Sequence, residues 1–139
     1  MENNKWHWQP FDKVGKYQLD TPITNYLSDI IKLERYEEEE SDTYRIDTPE
    51  LGSMLYVSDI DGLVKAIQSS CSFVYQGYEF MGEPTKKVAY FLLNTFGQPL
   101  YIYQGCYYMY INPQFEIRLD ELAEKVVSVI VTSWGNHDK

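Results

Sequence analysis

The sequence predicts an α+β fold: an antiparallel β-sheet with two helices on one face. Three observations carry this. Two segments place a Pro ahead of apolar residues at helical spacing. Short strand-like runs punctuated by turn residues follow each of them. The apolar pattern also recurs sixty-two positions on. Gly15 falls on Gly77, Leu19 on Met81, Pro22 on Pro84, Ile30 on Leu92, Ile31 on Leu93, Leu55 on Ile117, Val57 on Leu119, Asp59 on Glu121, Val64 on Val126 and Ile67 on Val129. Few pairs are identical, so hydrophobic register carries the signal. It reads as a tandem of two units, 15–69 and 77–131, inside one domain of 139 residues. The register assigns Ile30, Ile31, Leu92, Leu93, Val57, Leu119, Val64 and Val126 to the core.

The elements follow in order. Residues 1–14 read as an N-terminal arm, with Trp6, Trp8 and Phe11 as anchors to the body. Lys16–Leu19 is a short strand. Thr21-Pro22 then starts a helix, Thr as N-cap and Pro at the first helical position. Ile23, Tyr26, Leu27, Ile30 and Ile31 form its apolar stripe. Thr43–Ile46, Ser53–Ser58 and Leu63–Gln68 read as strands, with Asp61-Gly62 as a type I′ hairpin turn. Ser72–Tyr75 extends the same sheet. In the second unit Pro84 opens a helix with Val88, Phe91, Leu92, Thr95 and Phe96 on one stripe, widened by Ala89 and Leu93. Gly97 sits at C′ and Pro99 follows, a helix stop. Leu100–Tyr103, Cys106–Ile111, Phe115–Leu119 and Val126–Val131 are four strands, and Leu122-Ala123-Glu124 lengthens the last connection. Residues 135–139 read as a frayed tail. Each unit is thus strand, helix and antiparallel meander, and the sheet face away from the helices is left at least partly open.

Composition narrows the function. The chain carries 44% apolar residues and a net charge of −9. That charge disfavours direct contact with nucleic acid or anionic membrane, which needs clustered Lys and Arg. It suits a basic partner or solubility alone. No apolar run reaches transmembrane length and the N-terminus lacks signal-peptide character, so a cytoplasmic location is expected. Two cysteines, Cys71 and Cys106, make neither a disulfide framework nor a metal site.

Candidate chemistry is thin. A catalytic cysteine needs a base, and the only histidines, His7 and His137, lie near the termini. Asp59-Ile60-Asp61-Gly62 starts like a calcium loop, but Lys65 and Ser70 occupy later ligand positions. The glycines are scattered singly, with no phosphate loop. No catalytic residue, cofactor or metal is assigned, and the expectation is a protein that is not an enzyme.

Two features stand out. The first is acidic: Glu34, Glu37, Glu38, Glu39, Glu40 and Asp42, within a segment from Glu34 to Glu50 that supplies −6 of the charge. Such runs are ordinarily solvated loops, yet adjacent like charges also favour a basic partner and speed its encounter. In the 62-residue register this run faces the apolar stretch from Gln98 to Ile102, where the units diverge most. The second feature is tyrosine: Tyr101, Tyr103, Tyr107, Tyr108 and Tyr110 fall within ten positions. In a strand, Tyr108 and Tyr110 share one face, Tyr107 and Met109 the other. One set is core; the other lies on the open face. Exposed Tyr serves either an interface or cross-strand pairing within the sheet. The candidate partner-binding residues are therefore these acids with Tyr101, Tyr103, Tyr108 and Tyr110.

Several short motifs carry a resemblance: Gly15-Lys16-Tyr17-Gln18-Leu19-Asp20-x-Pro22, Tyr26-Leu27, Leu55-Tyr56-Val57, Val64-x-x-Ile67 and Tyr75-x-Gly77-Tyr78-x-Phe80-x-Gly82. Across roughly residues 15–95 the chain resembles small bacterial immunity proteins of polymorphic toxin and contact-dependent growth inhibition systems. The resemblance implies a cytoplasmic protein that binds one cognate toxin domain and blocks it by occlusion. A basic nuclease is the expected target, an RNase ahead of a DNase. The doubled layout also looks like that of a β-lactamase inhibitor protein family. The competing expectation is a small-ligand or regulatory module using the open sheet face. Oligomeric state is not specified by the sequence.

Overall fold

The computed structural model describes residues 6–33, 41–47 and 53–133. The architecture is α+β, with an antiparallel eight-stranded sheet at its centre. Three short strands open the chain: β1 (Trp8–Gln9), β2 (Lys13–Val14) and β3 (Tyr17–Gln18), paired as a small sheet. A 3-10 helix spans Ile23–Asp29. A meander follows: β4 (Ile30–Lys32), β5 (Ser41–Ile46), β6 (Met54–Ser58) and β7 (Val64–Ser69). A hairpin of β8 (Val74–Tyr75) and β9 (Tyr78–Glu79) leads to helix α1 (Thr85–Phe96). A second meander of β10 (Leu100–Tyr103), β11 (Cys106–Tyr110), β12 (Glu116–Leu122) and β13 (Lys125–Thr132) closes the chain. The large sheet runs β10-β11-β12-β13-β7-β6-β5-β4.

The meanders join antiparallel at β7 and β13, where Gln68 pairs with Ile130, residues sixty-two apart. On either side lie Ser69 with Val129 and Ile67 with Val131. These two pairs exchange places when each residue is moved by sixty-two, so the joint has local two-fold symmetry. The same spacing recurs elsewhere. Asp20 N–H donates to Val64 O and Gly82 N–H to Val126 O; Ile23 N–H donates to Gly62 O and Thr85 N–H to Glu124 O. Asp20 and Gly82 both have positive φ, 63° and 79°. Lys65 and Val127 are both extra residues at β-bulges, skipped by the register of β7 and β13 with their hairpin partners.

One core holds the fold together. The sheet's inner face (Leu55, Val57, Ile67, Ile117, Leu119, Val129) packs against Ile23 and Tyr26 of the 3-10 helix and Val88, Ala89 and Leu92 of α1. Trp8 fills the end of this core, its ring tilted against those of Phe73, Tyr75 and Phe96. Trp6 and Trp8 are buried as anchors, but Phe11 is 48% exposed and only edges Phe115. From Trp6 on, the segment expected as an arm is therefore packed on the core and forms part of a small sheet; residues 1–5 lie outside the described residues.

Several expectations are corrected. The first helix is not an α-helix through Ile31. Its three-residue period buries Ile23 and Tyr26 and leaves Leu27 59% exposed, while Ile30 and Ile31 belong to strand β4. Ile31 is exposed and Ile30 and Leu93 are only partly buried; the other five residues assigned to the core are buried. Thr21 does not cap the helix: Pro22 holds that position, and Thr21 Oγ1 donates to Gln18 O at 2.7 Å. Thr95 of α1 is exposed. The expected β8 extension of the main sheet is a separate hairpin. Asp61-Gly62 is not a two-residue turn, since β6 and β7 are joined by residues 59–63 and Gly62 alone has positive φ. The tight connection is the later one, where Ala123 and Glu124, at φ 54° and 67°, join Leu122 to Lys125. That hairpin is shorter by two, so Leu55 and Leu119, which pair with Ile67 and Val129, are the equivalent residues, not Leu55 and Ile117. An even slip keeps every side chain on its expected face.

Candidate functional site

The sheet's outer face is the one that neither helix covers. Strand alternation puts Tyr107 and Met109 in the core and Tyr108 and Tyr110 on this outer face, as the pleat requires. Pairing brings Tyr101 opposite Tyr108. The three rings of Tyr101, Tyr108 and Tyr110 contact one another, with centroids 5.5 to 6.0 Å apart. Tyr103, one pleat along, is 61% exposed. The four candidate tyrosines thus share one face at one end of the sheet.

A continuous row crosses all eight strands there: Tyr101, Tyr108, Arg118, Ile130, Gln68, Met54, Arg45, Ile31. Arg118 sits beside the tyrosines, with its Nε 3.1 Å from Asp120 Oδ1. Glu116 pairs with Tyr110, and Asp120 with Cys106. Further in, Tyr56 OH donates to Gln68 Oε1 at 2.6 Å and Gln68 Nε2 donates to Ser128 Oγ at 3.0 Å. The face is therefore aromatic at one edge and polar in the middle.

Electrostatics on this face favour neutral forms. Burial, then Glu116 and the neighbouring tyrosines, push the Tyr110 phenol up. Burial also pushes the Cys106 thiol up; Asp120 and Glu116 add to that, and Arg118 opposes it. The thiol donates to Tyr103 O at 3.1 Å. A raised thiol is a weak nucleophile at neutral pH. His7 lies on the N-terminal side, bridged to Val74; His137 lies outside the described residues. Among the described residues, no three His, Cys, Asp or Glu side chains gather to hold a metal ion.

The acidic candidates lie elsewhere. Glu34, Glu37, Glu38, Glu39 and Glu40 fall outside the described residues. Asp42 is on β5, paired with buried Val57 and so on the helix side, with its carboxylate 3.6 Å from Lys32 Nζ. Six strand spacings separate β5 from β10, roughly 29 Å at about 4.8 Å each. The sequence grouped acids and tyrosines in one site; the structure sets Asp42 and the tyrosines on opposite faces and toward opposite ends of the sheet. The run joins β4 to β5 and so corresponds to the β10–β11 turn, Gln104-Gly105, rather than to Gln98–Ile102.

Sequence reasoning missed Glu116, Arg118 and Asp120. Their signal was the alternation with Ile117 and Leu119 along β12. It also missed an apolar groove of about 300 Å³ on the helix side, lined by Lys86, Ala89, Tyr90, Leu93, Leu100, Ile102 and Tyr107. Among the described residues, no helix is long and apolar enough to cross a membrane.

Comparison with known proteins decides nothing further. No family model, no curated protein and no solved structure matches this chain.

Proposed function

We propose that this chain is an immunity protein that binds a cognate toxin domain and blocks it by occlusion, without catalysis, cofactor or metal. A basic nuclease is the favoured target, an RNase ahead of a DNase, met in the cytoplasm. The observation that supports this most is the outer-face cluster of Tyr101, Tyr108 and Tyr110 beside Arg118. Tyrosine and arginine are the side chains that most often anchor protein interfaces. The net charge of −9 supplies long-range attraction for a basic partner.

The separation of Asp42 from the tyrosines supports different roles for acids and tyrosines. Glu34, Glu37–Glu40 and Asp42 steer; Tyr101, Tyr103, Tyr108 and Tyr110 anchor. Steering works through the long-range field and needs no contact, so the two roles do not require one continuous surface. In the same reading the chain is a tandem of two copies of one unit, of which the second carries the anchors.

Co-expression with the toxin's C-terminal domain is the direct test. Protection is the expected result, and continued killing would refute the reading. Tyr108→Ala should speed dissociation about 30-fold or more, an anchor-sized loss. Replacing Glu37 to Glu40 by Gln should slow association and flatten its salt dependence; unchanged kinetics at low salt would remove the steering role. The alternative, a small-ligand or regulatory module on the open face, gains little from the apolar groove, which opens on the helix side.

A further inference from the structure

Strand β10 ends the sheet with four residues after Pro99, and little else protects that edge. Natural edges are blunted by charge, proline, a bulge or short length. Residues 100–106 contain no charged side chain and no proline, and β10 pairs with β11 without a register shift. The other edge differs in charge: β4 carries Lys32, which is ion-paired with Asp42. The inner side of β10 is also uncovered. Leu100 and Ile102 line the groove beside Lys86, Tyr90 and Leu93 of α1, and Ile102 and Tyr90 are each 66% exposed. The helix layer stops short of the sheet's last strand.

We propose that this edge is occupied by a second copy of the chain, with β10 pairing antiparallel to its own copy and Ile102 and Tyr90 of each closing the groove of the other. Antiparallel edge pairing is isologous: one strand supplies both partners about a two-fold axis. The fold already uses this geometry internally at the β7–β13 joint. Charge selects this edge over the other. Two chains of −9 repel, but the segment 34–50, which holds −6, is attached at the opposite end of the sheet. Strand β5, which carries the described residues of that segment, lies roughly 29 Å from β10, several times the ~8 Å Debye length at physiological salt, so its charges add little repulsion at this edge.

Area sets the strength. Tyr90 and Ile102 are exposed large side chains, and Leu93 and Leu100 beside them are partly buried. A large aromatic side chain buries ~150–250 Å² in full, so half-exposed ones contribute on the order of 100 Å² each. With the edge main chain this reaches roughly half of the ~800 Å² per partner of a standard interface. The dimer is accordingly weak, with a dissociation constant on the order of 1–100 μM.

Sedimentation velocity of the full chain, without toxin, from about 1 to about 200 μM tests this. A monomer–dimer equilibrium is expected. Ile102→Lys should weaken it at least tenfold, Tyr90→Glu should do the same from the helix side, and Tyr108→Ala on the outer face should leave it unchanged. Both weakening variants alter exposed side chains, so their urea midpoints should match the parent; if one misfolds, the other decides. A monomer at the highest concentration, or a dimer indifferent to both substitutions, would overturn the proposal. So would a monomer whose toxin binding falls with Ile102→Lys, which would give the edge to an extended toxin segment. Protection by a monomeric Ile102→Lys protein would leave the immunity reading intact, so the two proposals fail separately.

Discussion

The two helices occupy equivalent places and meet different fates. The 3-10 helix Ile23–Asp29 is followed at once by β4, whose first residues are Ile30 and Ile31. Helix α1 keeps the corresponding Leu92 and Leu93, and the chain then has Gly97-Gln98-Pro99 before β10 begins. Where the sheet takes the apolar residues early, the helix is left short and its period tightens to three. Where a connector is provided, a full α-helix of twelve residues forms and ends on Gly97 at φ 69°, its N–H bonded to Leu93 O. Similar apolar spacing thus yields two structures, and the residues after the helix decide which.

Substitutions at equivalent positions can break this comparison. Leu92 is 1% exposed, so Leu92→Ala should cost about 3 kcal/mol in urea unfolding. Ile30→Ala, on an edge strand, should cost about 1 kcal/mol. Equal losses would show that the halves bury this position alike. Tyr17 tests the N-terminal sheet against the first helix, because its ring lies 5.2 Å from Tyr26. Burial first, then Asp29 and Tyr26, push its phenol from 10.0 to about 12. Below pH 10 its contribution is fully present. Between 10 and 12 the unfolded chain sheds a proton that the folded chain keeps, so stability falls as pH rises, by on the order of 2 kcal/mol. Tyr17→Phe should flatten that stretch of the alkaline unfolding curve.

Smaller effects sharpen the comparison of the two tight hairpins in the second meander. Gln104-Gly105 and Ala123-Glu124 both place two residues at positive φ, the type I′ requirement. Only the first has the glycine. Glu124→Gly should stabilise by about 1 kcal/mol, and Gly105→Ala should destabilise by a similar amount, both read from thermal midpoints. Leu27→Glu should change stability by less than about 0.5 kcal/mol, because Leu27 points to solvent where its equivalent, Ala89, is buried.

The fold class was legible because period-two strands and the α1 stripe write burial directly into the sequence. Val57, Val64, Leu92, Leu119 and Val126 were placed in the core from register alone and are buried. The first helix was misread because Ile30 and Ile31 fit a helical period and a strand equally well; their strand depends on β5, supplied by distant residues. The tight hairpin was misread because Asp-Gly is a strong local signal, whereas Ala-Glu at positive φ is held by the flanking β12–β13 pairing. The face shared by the tyrosines was legible from alternation. Their distance from Asp42 was not, since it depends on the sheet order across the joint.

That joint has a dynamic consequence. In the large sheet, every other pairing links strands adjacent in sequence, so each meander assembles from local contacts. The β7–β13 pairing spans about sixty residues and carries the loop-closure entropy of the sheet. The two meanders are therefore natural units of partial opening, hinged along Gln68 and Ile130. Amide protons at the joint should exchange at the free energy of global unfolding, while those of β4 and β10, at the two far edges, exchange through local opening.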